Sequence, residues 1–142
     1  MKPAQIGLAI AVTALTGAFA QSTTRSVWTG VYTAPQAEAG AGRYAAACAE
    51  CHGDDLEGRE RAPALAGGAF AQRWDGSTLK KLFERMEEMP PDDPASRPSA
   101  KEYGDILAFL LSANRIPAGT TPLAGDKAVL AGIIYTSQKP KH

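Results

Sequence analysis

The pentapeptide Cys48-Ala49-Glu50-Cys51-His52 (CAECH) contains both cysteines of this 142-residue chain and one of its two histidines. Two thiols and an imidazole within five positions can form a disulfide, a redox dithiol, half of a metal site or the attachment point of a cofactor. A disulfide between Cys48 and Cys51 would close a very short loop, so it would stabilise the fold little. The choice among the other three depends on what the rest of the chain supplies.

The rest of the chain favours cofactor attachment. A thioredoxin-like dithiol needs a βαβ context, and the sequence has no alternating strand pattern of useful length. A structural zinc site needs four ligands, and His142 is the only other candidate of the usual soft type. The spacing Cys-x-x-Cys-His is typical of c-type haem attachment. We therefore expect one covalently attached haem c (iron) per chain, with Cys48 and Cys51 bound to its vinyl groups and His52 bound to the iron.

Residues 1–20 are typical of a secretory signal peptide. Lys2 gives a positive start, residues 6–19 are uncharged and mostly apolar, and Ala18-Phe19-Ala20 supplies small residues for cleavage. The apolar run is too short for a membrane span, which needs roughly 18–20 residues. We expect cleavage after Ala20, a periplasmic or otherwise exported protein, and no stable membrane insertion after cleavage.

The composition argues against nucleic-acid binding and for a loop-rich fold. Loss of Lys2 from the 15 basic residues leaves 14 against 15 acidic residues, a formal charge of −1. Such a balance gives no reason to expect a nucleic-acid partner. Fourteen glycines and ten prolines indicate many turns, and a bound cofactor could supply part of the apolar interior.

The mature chain predicts an all-α fold of three main helices and long loops wrapped around one haem. Each helix begins at a capping residue, and the segments run from Thr33 to about Cys48, from Ser77 or Thr78 to before Pro90, and from Ser99 to Asn114. Residues 53–76 are predicted to be irregular, and residues 21–32 an extended lead-in. Residues 118–142 are predicted to be a surface-wrapping tail with apolar anchor points at Leu123, Val129, Leu130, Ile133 and Ile134.

A second iron ligand is expected from a methionine or a histidine, the usual choices opposite a histidine. Met89 is the preferred candidate because it lies in a loop made rigid by Pro90 and Pro91. Met86 lies on the apolar stripe of the second helix, where core packing explains it better. His142 belongs to the tail.

The order of these motifs resembles the class I (mitochondrial-type) cytochromes c, here a monohaem bacterial form. CAECH, Ala62-Pro63-Ala64-Leu65, Met89-Pro90 and Ile106-Leu-Ala-Phe109-Leu follow one another with family-like separations. The resemblance covers residues 36–117 and implies a cytochrome c domain over residues 33–117.

The resemblance also implies roles for individual residues. The Pro63 carbonyl would accept a hydrogen bond from Nδ1–H of the ligand histidine, which fixes the ring and increases its basicity. Leu65 would line the haem pocket, and Trp74 would lie near a haem propionate. Helix packing is implied for two residues of the first helix and two of the last: Gly40, Tyr44, Ile106 and Phe109.

The function implied is electron transfer rather than catalysis, with no catalytic residues. A periplasmic carrier would pass single electrons between redox partner proteins while His52 and Met89 stay bound to iron. The lysine-rich docking face of eukaryotic members is missing, so their electrostatic steering is not expected.

Two alternatives stay open at this stage. The protein could be a cytochrome subunit of a periplasmic oxidoreductase, such as a quinoprotein dehydrogenase, and dock through Trp28, Val31 and Tyr32 or through the tail. A haem-based sensor or peroxidase is the other alternative. It would need an open coordination site, and the Met89-Pro90 pair argues against one.

Overall fold

A computed structural model describes residues 23–60, 62–89 and 91–141. The predicted signal peptide, Pro90 and His142 lie outside the described residues. The elements in chain order are β1 (Arg25–Ser26), a 3-10 helix (Val27–Thr29), α1 (Ala34–Ala47), α2 (Ala49–His52), α3 (Gly67–Trp74), α4 (Leu79–Glu87), a 3-10 helix (Pro94–Ser96), α5 (Ala100–Ala113), α6 (Lys127–Ala131) and β2 (Ile133–Ile134). The predicted all-α class is confirmed, and α1, α4 and α5 are the three predicted main helices. Within the described ranges, no helix combines the length and the apolar character that crossing a membrane requires.

The predicted helix starts are confirmed because their caps are local. The side chains of Thr33, Thr78 and Ser99 each accept a hydrogen bond from the backbone N–H three residues later. Ser99 also forms the full capping box, since its own N–H donates to the Glu102 carboxylate at 2.8 Å.

Gln36 lies three residues after the cap Thr33, where a side chain can bond back to the capping residue's N–H to form a capping box. Its side chain does not make that hydrogen bond. Its side chain instead accepts from the N–H of Leu123 at 2.7 Å and donates to the Leu123 carbonyl at 2.8 Å. It also donates to the carboxylate of Asp105 at 3.0 Å. Gln36 therefore ties the tail to α1 and α5.

Replacement of Gln36 by alanine is expected to lower the free energy of unfolding by about 2 kcal/mol. The reason is that buried Asp105 and the backbone of Leu123 each lose a hydrogen bond. Chemical denaturation of the haem-loaded protein measures the effect. Glu38→Ala, an exposed position on the same helix, is the control and should change the value by less than about 0.5 kcal/mol.

The segment predicted to be irregular contains α3, so that prediction is wrong for Gly67–Trp74. Phe70 and Trp74, four residues apart, give the helix one buried face. Its first N–H, at Gly67, donates to the side chain of Asn114 at 3.1 Å. The cap comes from 47 residues away, and for that reason local sequence does not reveal it.

The main packing contact of the fold joins α1 to α5. A Cβ on Gly40 would lie 1.9 Å from the backbone oxygen of Asp105 and 3.0 Å from Cβ of Phe109. One turn further on, the rings of Tyr44 and Phe109 have centroids 5.3 Å apart. The close approach predicted for these helices is confirmed, with Asp105 rather than Ile106 nearest to Gly40.

The lead-in and the tail are built into the fold more than predicted. β1 and β2 form a parallel pair in which Arg25 faces Ile133 and Ser26 faces Ile134, and Val27–Thr29 is a 3-10 helix rather than extended chain. Of the five predicted anchor points, Leu123, Leu130 and Ile133 are buried, Ile134 is half-buried, and Val129 is 46% exposed. The boundaries at residues 33 and 117 stay predictions, while all three segments contribute to one hydrophobic core.

Candidate cofactor site

The CAECH segment forms a single helical turn directly after α1. Cys48 lies between α1 and α2, and its N–H donates to the Tyr44 carbonyl at 2.8 Å. The turn ends at Gly53, whose φ of +84° favours glycine. Tyr44 donates its hydroxyl proton to the Gly53 carbonyl at 2.6 Å. Both ends of the turn are therefore fixed to α1.

The segment opens onto a cavity of about 1110 Å³. Small-molecule and cofactor sites usually measure roughly 300–1,000 Å³, so this space is large enough for a sizeable cofactor. The lining brings together residues from α1, α2, α3, α4, α5 and the loop at 59–65. All seven predicted cofactor-binding residues are among them: Cys48, Cys51, His52, Pro63, Leu65, Trp74 and Met89.

His52 has a fixed orientation within this cavity. Its Nδ1 lies 2.8 Å from the carbonyl oxygen of Pro63. A carbonyl can only accept, so Nδ1 carries the proton, and Nε2 keeps its lone pair for a metal. The loop is held close by Gly58, whose N–H donates to the His52 carbonyl at 2.9 Å. The family resemblance implied the hydrogen bond between His52 and Pro63. This bond leaves Nε2 of His52 free to bind a metal.

The two thiols are unlike those of a redox dithiol. They are not joined by a disulfide. Burial, followed by the neighbouring Cys51, raises the pKa of Cys48 to about 11, whereas reactive cysteines in redox motifs have lowered pKa values. Cys48 is half-buried and Cys51 is exposed.

Tyr103 is a site residue that sequence reasoning missed. It lines the cavity, and its hydroxyl is buried without a hydrogen-bond partner among the described residues. Burial raises the pKa of this hydroxyl, and the neighbouring Arg97 guanidinium acts in the opposite direction. The signal was present in the sequence, because Tyr103, Ile106 and Leu110 share one face of α5 and all three line the site.

Two methionines reach the same cavity. Met86 is half-buried within α4, and Met89 follows the helix and is 41% exposed. The N–H of Met89 donates to the Met86 carbonyl at 3.2 Å, so both belong to one turn. The preference for Met89 over Met86 as iron ligand stays a prediction.

Trp74 and Leu65 both line the cavity. Trp74 is buried at the end of α3, and its ring centroid lies 6.3 Å from that of Phe70. Leu65 is half-buried, and its carbonyl accepts from the side chain of Asn114 at 2.9 Å. Arg73, next to Trp74, lines the cavity as well and places a cation beside it. A propionate near Trp74 stays a prediction.

The residues present fit a haem, because paired thiols, an oriented imidazole, thioethers and an apolar wall converge on one cavity. Together with the helical fold, they define a class I-type c-type cytochrome with one haem. The family model described as "Cytochrome C oxidase, cbb3-type, subunit III" matches residues 35–110, more than half of the chain, and the chain belongs to this family of cytochrome c domains. No curated protein and no solved structure matches the chain.

Family membership establishes the cofactor and the coarse activity. The cofactor is covalently bound haem c, with one Cys-x-x-Cys-His segment to hold it, and the protein transfers electrons through that haem to redox partners.

Proposed function

We propose that this protein is an exported, periplasmic electron carrier in which Cys48 and Cys51 hold the haem while His52 and Met89 bind its iron. The observation that carries the proposal is the hydrogen bond between Nδ1 of His52 and the Pro63 carbonyl, because it leaves Nε2 aimed for coordination within the cavity that both thiols line. Bound haem supplies reversible one-electron chemistry at iron.

The residues of the chain would fix the orientation of the histidine ligand and exclude water from the site. The Pro63 carbonyl holds the His52 ring in one orientation, so the same ligand geometry serves both oxidation states. Leu82, Ile106 and Leu110 line the cavity from α4 and α5 and exclude water. A thioether ligand and a dry pocket both favour ferrous iron and raise the reduction potential.

A second candidate function is a fixed subunit of a periplasmic oxidoreductase, favoured by the oxidase subunit in the family's description. The docking surface predicted at Trp28, Val31 and Tyr32 is not accessible to a partner. Val31 and Tyr32 are buried, and the indole N–H of Trp28 donates to the Thr136 carbonyl at 2.8 Å. A complex would therefore use another surface. The solution size at native expression separates the two candidates, since a free carrier would run as a small monomer.

Spectra of the purified wild type and of Met89→Ala test the ligand assignment. The oxidised wild type should show the weak long-wavelength sulfur-to-iron band, and Met89→Ala should lack it because the thioether is removed. Met86→Ala, three residues earlier in the same cavity, is the matched control and should retain the band. A band that persists in Met89→Ala and disappears in Met86→Ala would move the ligand to Met86.

Carbon monoxide provides a separate test of the carrier function. The reduced wild type should bind it poorly at neutral pH, because Met89 occupies the sixth position. Ready binding by the wild type would instead support the sensor or peroxidase alternative.

A further inference from the structure

The tail runs antiparallel along the whole length of α4. At the carboxyl end of α4, Nζ of Lys127 lies 2.7 Å from the Glu87 carboxylate. At the amino end, Thr78 forms an antiparallel bridge with Ile134. The segment between these two contacts contains α6, which packs against α4.

The turn before α4 is tied to the tail by three further hydrogen bonds. The N–H of Gly76 donates to the Tyr135 carbonyl at 2.9 Å, and the N–H of Tyr135 donates to the Ser77 carbonyl at 2.8 Å. The N–H of Ser137 donates to the Asp75 carboxylate at 2.6 Å. The turn that precedes α4 is thus held in place by backbone groups of the tail.

Buried side chains make this contact more than a surface attachment. Leu130 is 0% exposed and Ile133 is 1% exposed. The Tyr135 ring packs edge-on against Phe70 of α3, with centroids 5.5 Å apart. On its other side the tail is covered by the lead-in, through β1 and the Trp28 hydrogen bond. The buried side chains of the tail therefore join α4, α3 and the lead-in to one core.

The position of α4 determines the position of the candidate iron ligands. Met86 is within α4, and Met89 comes two residues after its last residue, Glu87. The N–H of Met89 donates to the Met86 carbonyl at 3.2 Å, so the backbone of Met89 is attached to the last turn of α4. The Glu87 carbonyl is one further tie, since it accepts from the Arg97 guanidinium at 3.0 Å. Placement of the thioether therefore depends on how firmly α4 is held.

We propose that residues 123–137, the brace, position α4 so that the methionine thioether at its end stays on the iron and keeps outside ligands from the sixth coordination site. The proposal rests on the proposed function, in which Met89 binds iron. The residues of the brace that contact α4 or the turn before it, such as Lys127, Leu130 and Tyr135, are positioning residues, since they act through α4 and lie away from the cavity lining.

The test uses the full-length, haem-loaded protein and the exogenous ligand imidazole. Leu130→Ala removes the buried contact of the brace, whereas Val129→Ala changes its exposed neighbour on the same helix. An outside ligand binds only the fraction of molecules in which the thioether has left the iron, so its apparent affinity rises in proportion to that fraction. We expect Leu130→Ala to bind imidazole at least about tenfold more tightly than the wild type, and Val129→Ala to match the wild type.

Amide hydrogen exchange separates positioning from general destabilisation. In Leu130→Ala, exchange of the α4 amides should accelerate at least about tenfold while the amides of α1 and α5 change much less. Equal acceleration in all three helices, or unchanged exchange in α4, would overturn the proposal. Faster exchange in α4 without tighter imidazole binding would overturn it as well.

A milder variant covers the case in which Leu130→Ala does not fold. Lys127→Gln breaks the contact with Glu87, and because that pair is partly exposed, we expect imidazole affinity and α4 exchange to rise roughly two- to fivefold. Lys139→Gln, an exposed change of the same charge, should leave both unchanged. An effect from Lys139→Gln equal to that of Lys127→Gln would count against the brace.

Failure of the underlying ligand assignment has a different signature. If Met89→Ala binds imidazole no better than the wild type, Met89 is not the ligand and the proposed function is wrong in that respect. The exchange measurement on α4 does not depend on which residue binds iron, so it still decides whether the brace holds the helix.

Discussion

Replacing both Cys48 and Cys51 with serine is expected to abolish covalent haem, so that acid–acetone extraction removes all of it from the variant and none from the wild type. The two thiols line one cavity on either end of the same helical turn, and no other cysteine exists in the chain to replace them. Each single variant should keep haem through one thioether. Mass spectrometry of the extracted chain measures the retained haem directly.

The double variant should also lose stability. Haem fills part of a cavity of about 1110 Å³ whose walls include Leu82, Ile106 and Leu110, and such walls are costly when they face water. Glu50→Ala, an exposed spacer within the same pentapeptide, is the control and should retain covalent haem. Covalent haem in the double variant would refute the proposed attachment.

The second large effect is expected at the contact between α1 and α5. Gly40→Ala should lower the free energy of unfolding by about 3 kcal/mol, the upper end of the usual cost of overpacking, because the added Cβ would lie 1.9 Å from the Asp105 backbone oxygen. A backbone carbonyl cannot rotate away as a side chain does, so the helices themselves must separate. Denaturant unfolding of the haem-loaded protein gives the value.

Gly42→Ala is the matched control on the same helix. A Cβ there meets nothing within 4 Å, so only helix propensity changes, and the substitution should stabilise the protein by about 0.5–1 kcal/mol. Opposite signs for two identical substitutions two residues apart would show that packing is responsible. Equal effects at the two positions would contradict the close helix contact.

Features fixed by neighbouring residues could be predicted from the sequence. The caps at Thr33, Thr78 and Ser99 depend on a residue three positions later, and all three are present. The spacing of Cys48, Cys51 and His52 likewise predicts haem attachment from neighbouring residues alone. The His52–Pro63 bond spans 11 residues, and the family resemblance rather than local pattern indicated it.

Features fixed by distant residues could not be predicted. The cap of α3 comes from Asn114, and Gln36 leaves its expected local partner for Leu123, 87 residues away. Loop and tail segments carry no periodicity that reveals such partners. The face of α5 that carries Tyr103 could be read from the sequence, whereas the burial of its hydroxyl is a property of the assembled fold.

The parallel pairing of β1 with β2 has a consequence for the order of folding. The two strands are about as far apart in sequence as Trp28 and Thr136, whose hydrogen bond spans 108 residues. Closing so long a loop is entropically costly and slow compared with forming local helices. The CAECH turn lies between the two ends and depends on neither, so thioether formation can precede closure. Late closure of this loop would leave the pentapeptide accessible while the local helices form.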